Sequence, residues 1–152
     1  MFDLTTSSDH VRPTPPRSVR AQLATLTAAK VVSNTALRWV GPFLPTLERA
    51  FGTTTGTLTS IMGTAELGGL TTLATGSHLD RGRERSVFLL GLGLVALSSV
   101  IALGGTTWTF AIAFALLVIG ISNHTIAGHA WIGHRIPFAN RSRAIGVFET
   151  SW

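Results

Sequence analysis

Gly76-Ser77-His78-Leu79-Asp80-Arg81-Gly82-Arg83-Glu84-Arg85 crowds acids and arginines into a short segment between two apolar runs. The runs on either side, 56–76 and 87–103, contain a single acid or base between them, Glu66. A short charged turn joining two long, nearly uncharged segments is how a pair of membrane-crossing helices looks in sequence, because charge is excluded from the hydrocarbon and tolerated at its edge.

Two further blocks of the same kind lie outward of this pair, at 21–47 and 107–133. Each block is long enough for the roughly 20 residues that a bilayer core requires. The third is only just so, and the first has length to spare for tilt or a bend at Pro42 and Pro45. A fifth apolar run starts at Ala144, and the nine residues to Trp152 would rise only about 14 Å as a helix, short of a core about 30 Å thick. The expected organisation is therefore a polar, flexible cytoplasmic tail over 1–20 and a transmembrane bundle over 21–152. Its spans lie at about 21–47, 56–76, 87–103 and 107–133, with a partial span from 144. The tail holds Pro13, Pro15 and Pro16 and no apolar core, so it is not a secretory signal.

Composition agrees. Apolar residues make up 45% of the 152 and charged residues 12%, roughly half the charged share of a typical globular protein. The net charge of +5 raises nucleic acid as a partner. The basic residues are spread over loops, however, with no basic helix and no interleaved aromatics, so no nucleic acid is expected. With no cysteine, there is no disulfide framework, thiolate metal site or thiol nucleophile. No paired carboxylates, no nucleophile beside a base and no phosphate-cradling glycine loop stand out. The reading is therefore not an enzyme, with no catalytic residue and no cofactor; a hydrolase built on His124 or Ser122 has no supporting constellation.

Loop charges orient the bundle. Arg12, Arg17 and Arg20 precede the first span, Arg81, Arg83 and Arg85 follow the second, and Arg135, Arg141 and Arg143 follow the fourth. The opposite loops, 48–55 and 104–106, carry Arg49 as their lone basic residue. That asymmetry predicts a multi-pass protein of the cell membrane with a cytoplasmic N-terminus. Trp39 and Trp108 then fall towards the outer interface and Trp131 towards the inner one.

Charge inside the spans marks candidate function. Thr27, Lys30, Asn34 and Arg38, with Gly41 next, recur at steps of three and four and share one stripe of a helix. A mid-membrane Lys or Arg costs about 2.5 to 3.5 kcal/mol on insertion scales, so the stripe should face the bundle interior or a watery cavity. Snorkelling of Lys30 and Arg38 to the two interfaces is the alternative. Glu66 lies about 15 Å from the outer end of its span and Arg38 about 14 Å from the end of the first. Their shared depth predicts a Glu66–Arg38 pair; an unpaired Glu66 would instead be a proton carrier. His124, His129 and His134 are five apart, so neighbours point about 140° apart on a helix and do not converge on a metal. His124 sits at a depth close to Lys30. It either lines the inner part of the same cavity or is satisfied by a neighbouring helix.

The charged loop resembles the signature between transmembrane helices 2 and 3 of the major facilitator superfamily: Gly, three residues, Asp, a basic residue, any residue, Gly, then two basic residues. Gly76, Asp80, Arg81 and Arg85 match; Arg83 stands where the glycine belongs and Glu84 where a basic residue belongs. Asp80-Arg81-Gly82-Arg83 also fits almost as well with one residue deleted. Arg38-Trp39-Val40-Gly41-Pro42-Phe43-Leu44-Pro45 is similar to the Pro-Phe-Leu-Pro ending of helix 1 in many members. Pro137-Phe138-Ala139-Asn140-Arg141-Ser142-Arg143-Ala144-Ile145-Gly146 looks like the connection from helix 4 to helix 5. The resemblance implies an all-α polytopic membrane helix bundle, the truncated N-terminal half of that fold: helices 1–4 and the start of 5, with the C-terminal half missing.

It also implies secondary transport of a small solute by alternating access, with the lipid bilayer, the solute and a coupling proton as candidate partners. Lys30, Asn34, Arg38, Glu66 and His124 are then the candidate substrate or ion pathway, because helix 1 lines the central cavity in that family. Gly76, Asp80, Arg81 and Arg85 form the conformational-switch loop. Asp80 would pair with Arg81 or Arg143, and Arg81 or Arg85 with Glu149, each exposed pair worth about 0 to 1 kcal/mol. The family's drug–proton antiporters carry an arginine followed by Gln-Gly in helix 4. Span 4 here reads Gly120-Ile121-Ser122-Asn123-His124 with no arginine, which speaks against that subclass. The cationic stripe would suit an anionic solute if Glu66 does not neutralise it. A non-transporting membrane protein that assembles with other helices, or a homo-oligomeric small exporter, are the alternatives.

Overall fold

The computed structural model describes residues 17–150, all of whose regular structure is helical. Helix α1 (Arg17–Trp39) is followed by a 3-10 turn (Gly41–Phe43) and by α2 (Leu44–Phe51). Then come α3 (Thr55–Ala65), a 3-10 segment (Glu66–Leu70), α4 (Thr71–Asp80), α5 (Glu84–Ala102), α6 (Thr107–Arg135) and α7 (Phe138–Glu149). The helix begins four residues before the expected end of the tail, so 17–20 belong to α1. The remainder of the predicted tail, 1–16, lies outside the described residues, as do the last two residues of the partial span.

Local chemistry sets these limits. The stretch read as the first span does not stay one straight helix: it breaks at Val40–Phe43, where Pro42 and Pro45 withhold N–H donors. Thr54 and Thr106 are extended N-caps whose hydroxyls accept from Thr57 N and Thr109 N, both at 3.1 Å. The charged turn closes through Gly82, whose φ of +71° is a left-handed conformation that side chains disfavour.

The second stretch contains a break of its own. Over Glu66–Leu70 the helix tightens to 3-10, and the Thr71 and Thr72 hydroxyls donate to Gly68 O (2.7 Å) and Gly69 O (2.8 Å). Two adjacent glycines with little intrinsic helix preference, followed by hydroxyls that compete for their carbonyls, account for the change of winding.

The long helix α6 is the hub, touching α1, α3, α4, α5 and α7. Its tightest crossing is with α5: a Cβ on Gly91 would stand 2.7 Å from Gly120 O, and one on Gly120 2.7 Å from Gly91 O. Small residues permit this backbone approach. Asn123, buried on α6, donates to Thr71 Oγ1 (2.9 Å) and ties the helix to α4 just past the 3-10 segment. One apolar cluster joins Leu58, Phe110, Phe114 and Val118 at one end of the bundle. A second, of Ile132, Ile136, Ala144 and Phe148, seats α7 against α6 at the other. Both α5 and α6 are long and apolar enough to cross a bilayer.

Candidate functional site

The inward face of α1 carries Lys30, Ser33 and Asn34, all buried, while Arg38 in its last turn is exposed. The ammonium of Lys30, fully shielded from solvent, lies 2.6 Å from Glu149 Oε2 at the end of α7. It also stands 4.5 Å from the centre of the Phe148 ring, whose face attracts cations. His129 on α6 reaches the other carboxylate oxygen, Oε1, at 2.7 Å from Nε2. Phe148 rests against Gly128, where any Cβ would strike its ring, so the missing side chain lets α7 approach and delivers Glu149 to its partners. Three helices thus converge on one carboxylate.

Beside this cluster is a cavity of about 260 Å³ lined by Asn34 of α1, Glu66 of the 3-10 segment, and Ser122, Thr125 and His129 of α6. Leu37, Val118, Ile121 and Ile126 complete its walls. His129 belongs to both features, so the cavity and the Lys30–Glu149 pair share a side chain. The break in the second helix exposes Glu66 here in place of packing it against a neighbour.

Of the five predicted pathway residues, Asn34 and Glu66 line this cavity, and Lys30 is linked to it through Glu149 and His129. Arg38 is exposed near the far end of α1, and His124 faces the other side of α6. His124 is buried, with Nδ1 3.0 Å from Gly120 O and its ring edge-on to Phe88 of α5. The predicted Glu66–Arg38 pair is not among the ion pairs of the described residues. The ion pairs among the described residues join Lys30 to Glu149, His129 to Glu149 and His134 to Glu84. Equal depth along two helices leaves their rotation open, and rotation decides whether side chains meet.

In the charged turn, Asp80 ends α4, Gly76 is half-buried within it, and Asp80, Arg81 and Arg85 are exposed. None of the pairs expected for Asp80, Arg81, Arg85 and Arg143 is among the ion pairs of the described residues. Glu149 serves Lys30 and His129 instead. The residue in the turn that does find a partner is Glu84, buried at the start of α5 and paired with His134 Nδ1 at the end of α6. Glu84 is one of the two residues, with Arg83, that depart from the loop signature.

The family model for the Major Facilitator Superfamily matches residues 26–152. The chain belongs to the major facilitator superfamily. No curated protein and no solved structure matches it. The superfamily consists of transporters and not of enzymes, so the buried polar residues of this member are to be read as transport machinery or as its scaffold. Sequence reasoning gave Glu149 to Arg81 or Arg85 and weighed His129 for a metal alone, and it offered no role for Asn123 or for a Glu84–His134 pair. Lys30 was read as facing a cavity or snorkelling to the interface; its pairing with Glu149 depends on how α7 folds back.

Proposed function

We propose that this protein acts in secondary transport of a small solute by alternating access, with the cavity between α1, the 3-10 segment and α6 forming part of the solute path. The observation that carries this reading is the convergence of Asn34, Glu66, Ser122, Thr125 and His129 from three elements on one cavity of the bundle. Polar groups at such depth are costly and mark solute or ion routes. The engagement of Lys30 by Glu149 leaves Glu66 as the carboxyl side chain lining the cavity among hydroxyl and amide groups. That favours a neutral hydrogen-bonding or cationic solute over the anion that the α1 stripe by itself would attract. Glu66 is the group there suited to take a coupling proton. The turn at Gly76, Asp80, Arg81 and Arg85 is the proposed switch segment, with Glu84–His134 as its fixed anchor. The charge asymmetry of the loops supports a cell-membrane location with the N-terminus cytoplasmic.

A cysteine-free chain allows a direct test. Ser122→Cys in the cavity and Ala96→Cys on an exposed part of α5 are treated in proteoliposomes with a membrane-impermeant thiol reagent. The expected result is labelling at position 122 and none at 96. Equal protection of both positions sinks the reading, because a solute path must be open to water in some state.

A further inference from the structure

A second and larger cavity, about 540 Å³, lies away from the solute path, in the groove between the N-terminal turns of α1, the start of α5 and the last turns of α6. Its character is split. Leu26, Phe88, Leu89 and Ala127 give it apolar walls, Trp131 stands among them, and Arg85 and Arg135 lie at its rim. Neither arginine makes a hydrogen bond or an ion pair with a described residue. The carboxylate in the groove, Glu84, is taken up by His134. Arg135 also draws on the Glu84 charge from a distance, so the groove sets two guanidinium groups against one carboxylate above an apolar floor.

We propose that this groove binds an anionic phospholipid, its phosphate held by Arg85 and Arg135 and an acyl chain laid along α5. Guanidinium groups match phosphate oxygens through paired, charge-assisted hydrogen bonds. Two cations against the single carboxylate of Glu84, itself paired with His134, leave a net positive charge that attracts a negatively charged headgroup over a zwitterionic one. The apolar wall favours a lipid over a free anion, for it does not stop at the groove. Leu89, Leu97 and Val100, all exposed, continue it as a stripe along α5 at helical spacing. Trp131, with an apolar ring and one N–H donor, suits the boundary between headgroup and chain. The proposal rests on the membrane reading, and its test separates the two.

Two single-tryptophan forms of the full chain are reconstituted in vesicles at about 0.1 M salt. One keeps Trp131 (Trp39→Phe, Trp108→Phe, Trp152→Phe). The other keeps Trp108, exposed at the opposite end of α6 (Trp39→Phe, Trp131→Phe, Trp152→Phe). Quenching by brominated phosphatidylglycerol is compared with quenching by brominated phosphatidylcholine. Trp108 is expected to be quenched equally by both, which reports membrane insertion alone. Trp131 is expected to be half-quenched at a five- to thirtyfold lower fraction of phosphatidylglycerol, on the order of the attraction of two basic residues for an anionic surface. Arg85→Gln with Arg135→Gln should bring that ratio close to one, whereas Arg85→Lys with Arg135→Lys should keep most of it. A protected Trp108 overturns the membrane reading and the proposal with it. If Trp108 is quenched, the proposal alone is overturned by any of three results: a Trp131 that no brominated lipid reaches, as when another helix fills the groove; a ratio unchanged by the glutamine pair; or a preference erased by millimolar inorganic phosphate, which marks a free-anion site.

Discussion

Lys30 shows what a buried charge requires of the rest of a chain. An ammonium removed from water is tolerated when a carboxylate and further polar contacts replace its hydration. Here Glu149 supplies the carboxylate at 2.6 Å and the Phe148 ring supplies its face. Losing one partner of a fully buried pair costs about 3 to 5 kcal/mol. Glu149 keeps 30% side-chain exposure, so Glu149→Ala is expected to cost less, about 2 to 3 kcal/mol. His129→Leu should cost under about 1 kcal/mol, because that side chain is 41% exposed. The double change Lys30→Met with Glu149→Leu should recover most of the loss, since an apolar pair of similar volume leaves no orphan charge. Unfolding in detergent measures all three, together with the single changes Lys30→Met and Glu149→Leu. A double variant as unstable as the sum of its singles means that the two residues do not act on one another. Of the stripe read along α1, Lys30 and Asn34 are buried and Arg38 is exposed. The partner of Lys30 was not readable, because Glu149 comes from a distant helix whose docking depends on Gly128 and Phe148.

At the scale of elements, glycines with the same intrinsic helix penalty have opposite roles. Gly93 of α5 has open space where a Cβ would be, whereas a Cβ on Gly120 of α6 would meet Gly91 O at 2.7 Å and a Val95 methyl at 2.9 Å. Helix propensity by itself predicts that alanine at either site stabilises by up to about 1 kcal/mol. The expected outcome is that Gly93→Ala follows this rule and Gly120→Ala reverses it, costing about 1 to 3 kcal/mol as α5 is forced off α6. Equal effects of the two substitutions in detergent melts would show that the α5–α6 crossing is looser than described. The blocks of apolar residues located these helices in sequence. The 3-10 segment at Glu66–Leu70 was missed, because hydropathy does not register a change in winding. Its cause, two glycines followed by two threonines, was nevertheless present in the residues.

At the scale of the whole molecule, the predicted orientation makes a demand on every loop at once. With no native cysteine, single cysteines at Thr54 and Thr106 should label from outside intact cells, and those at Ser77 and Asn140 only after permeabilisation. Labelling of Ser77→Cys from outside inverts the topology and moves the proposed lipid site to the outer leaflet. By itself, the sequence determined the all-helical class, the separation of long apolar segments by charged turns, and membership of the major facilitator superfamily. These follow from hydropathy, loop charge and short local signatures, which are properties of neighbours along the chain. Only the tertiary structure decided that Lys30 meets Glu149 and not an acid on the second helix, that Glu66 lines a cavity, and that Glu84 anchors the charged turn through His134. Those outcomes depend on how each helix is rotated about its axis and where it bends. Both are set by close packing at positions such as Gly91, Gly120 and Gly128, where the absence of a side chain on one helix decides what the next can reach.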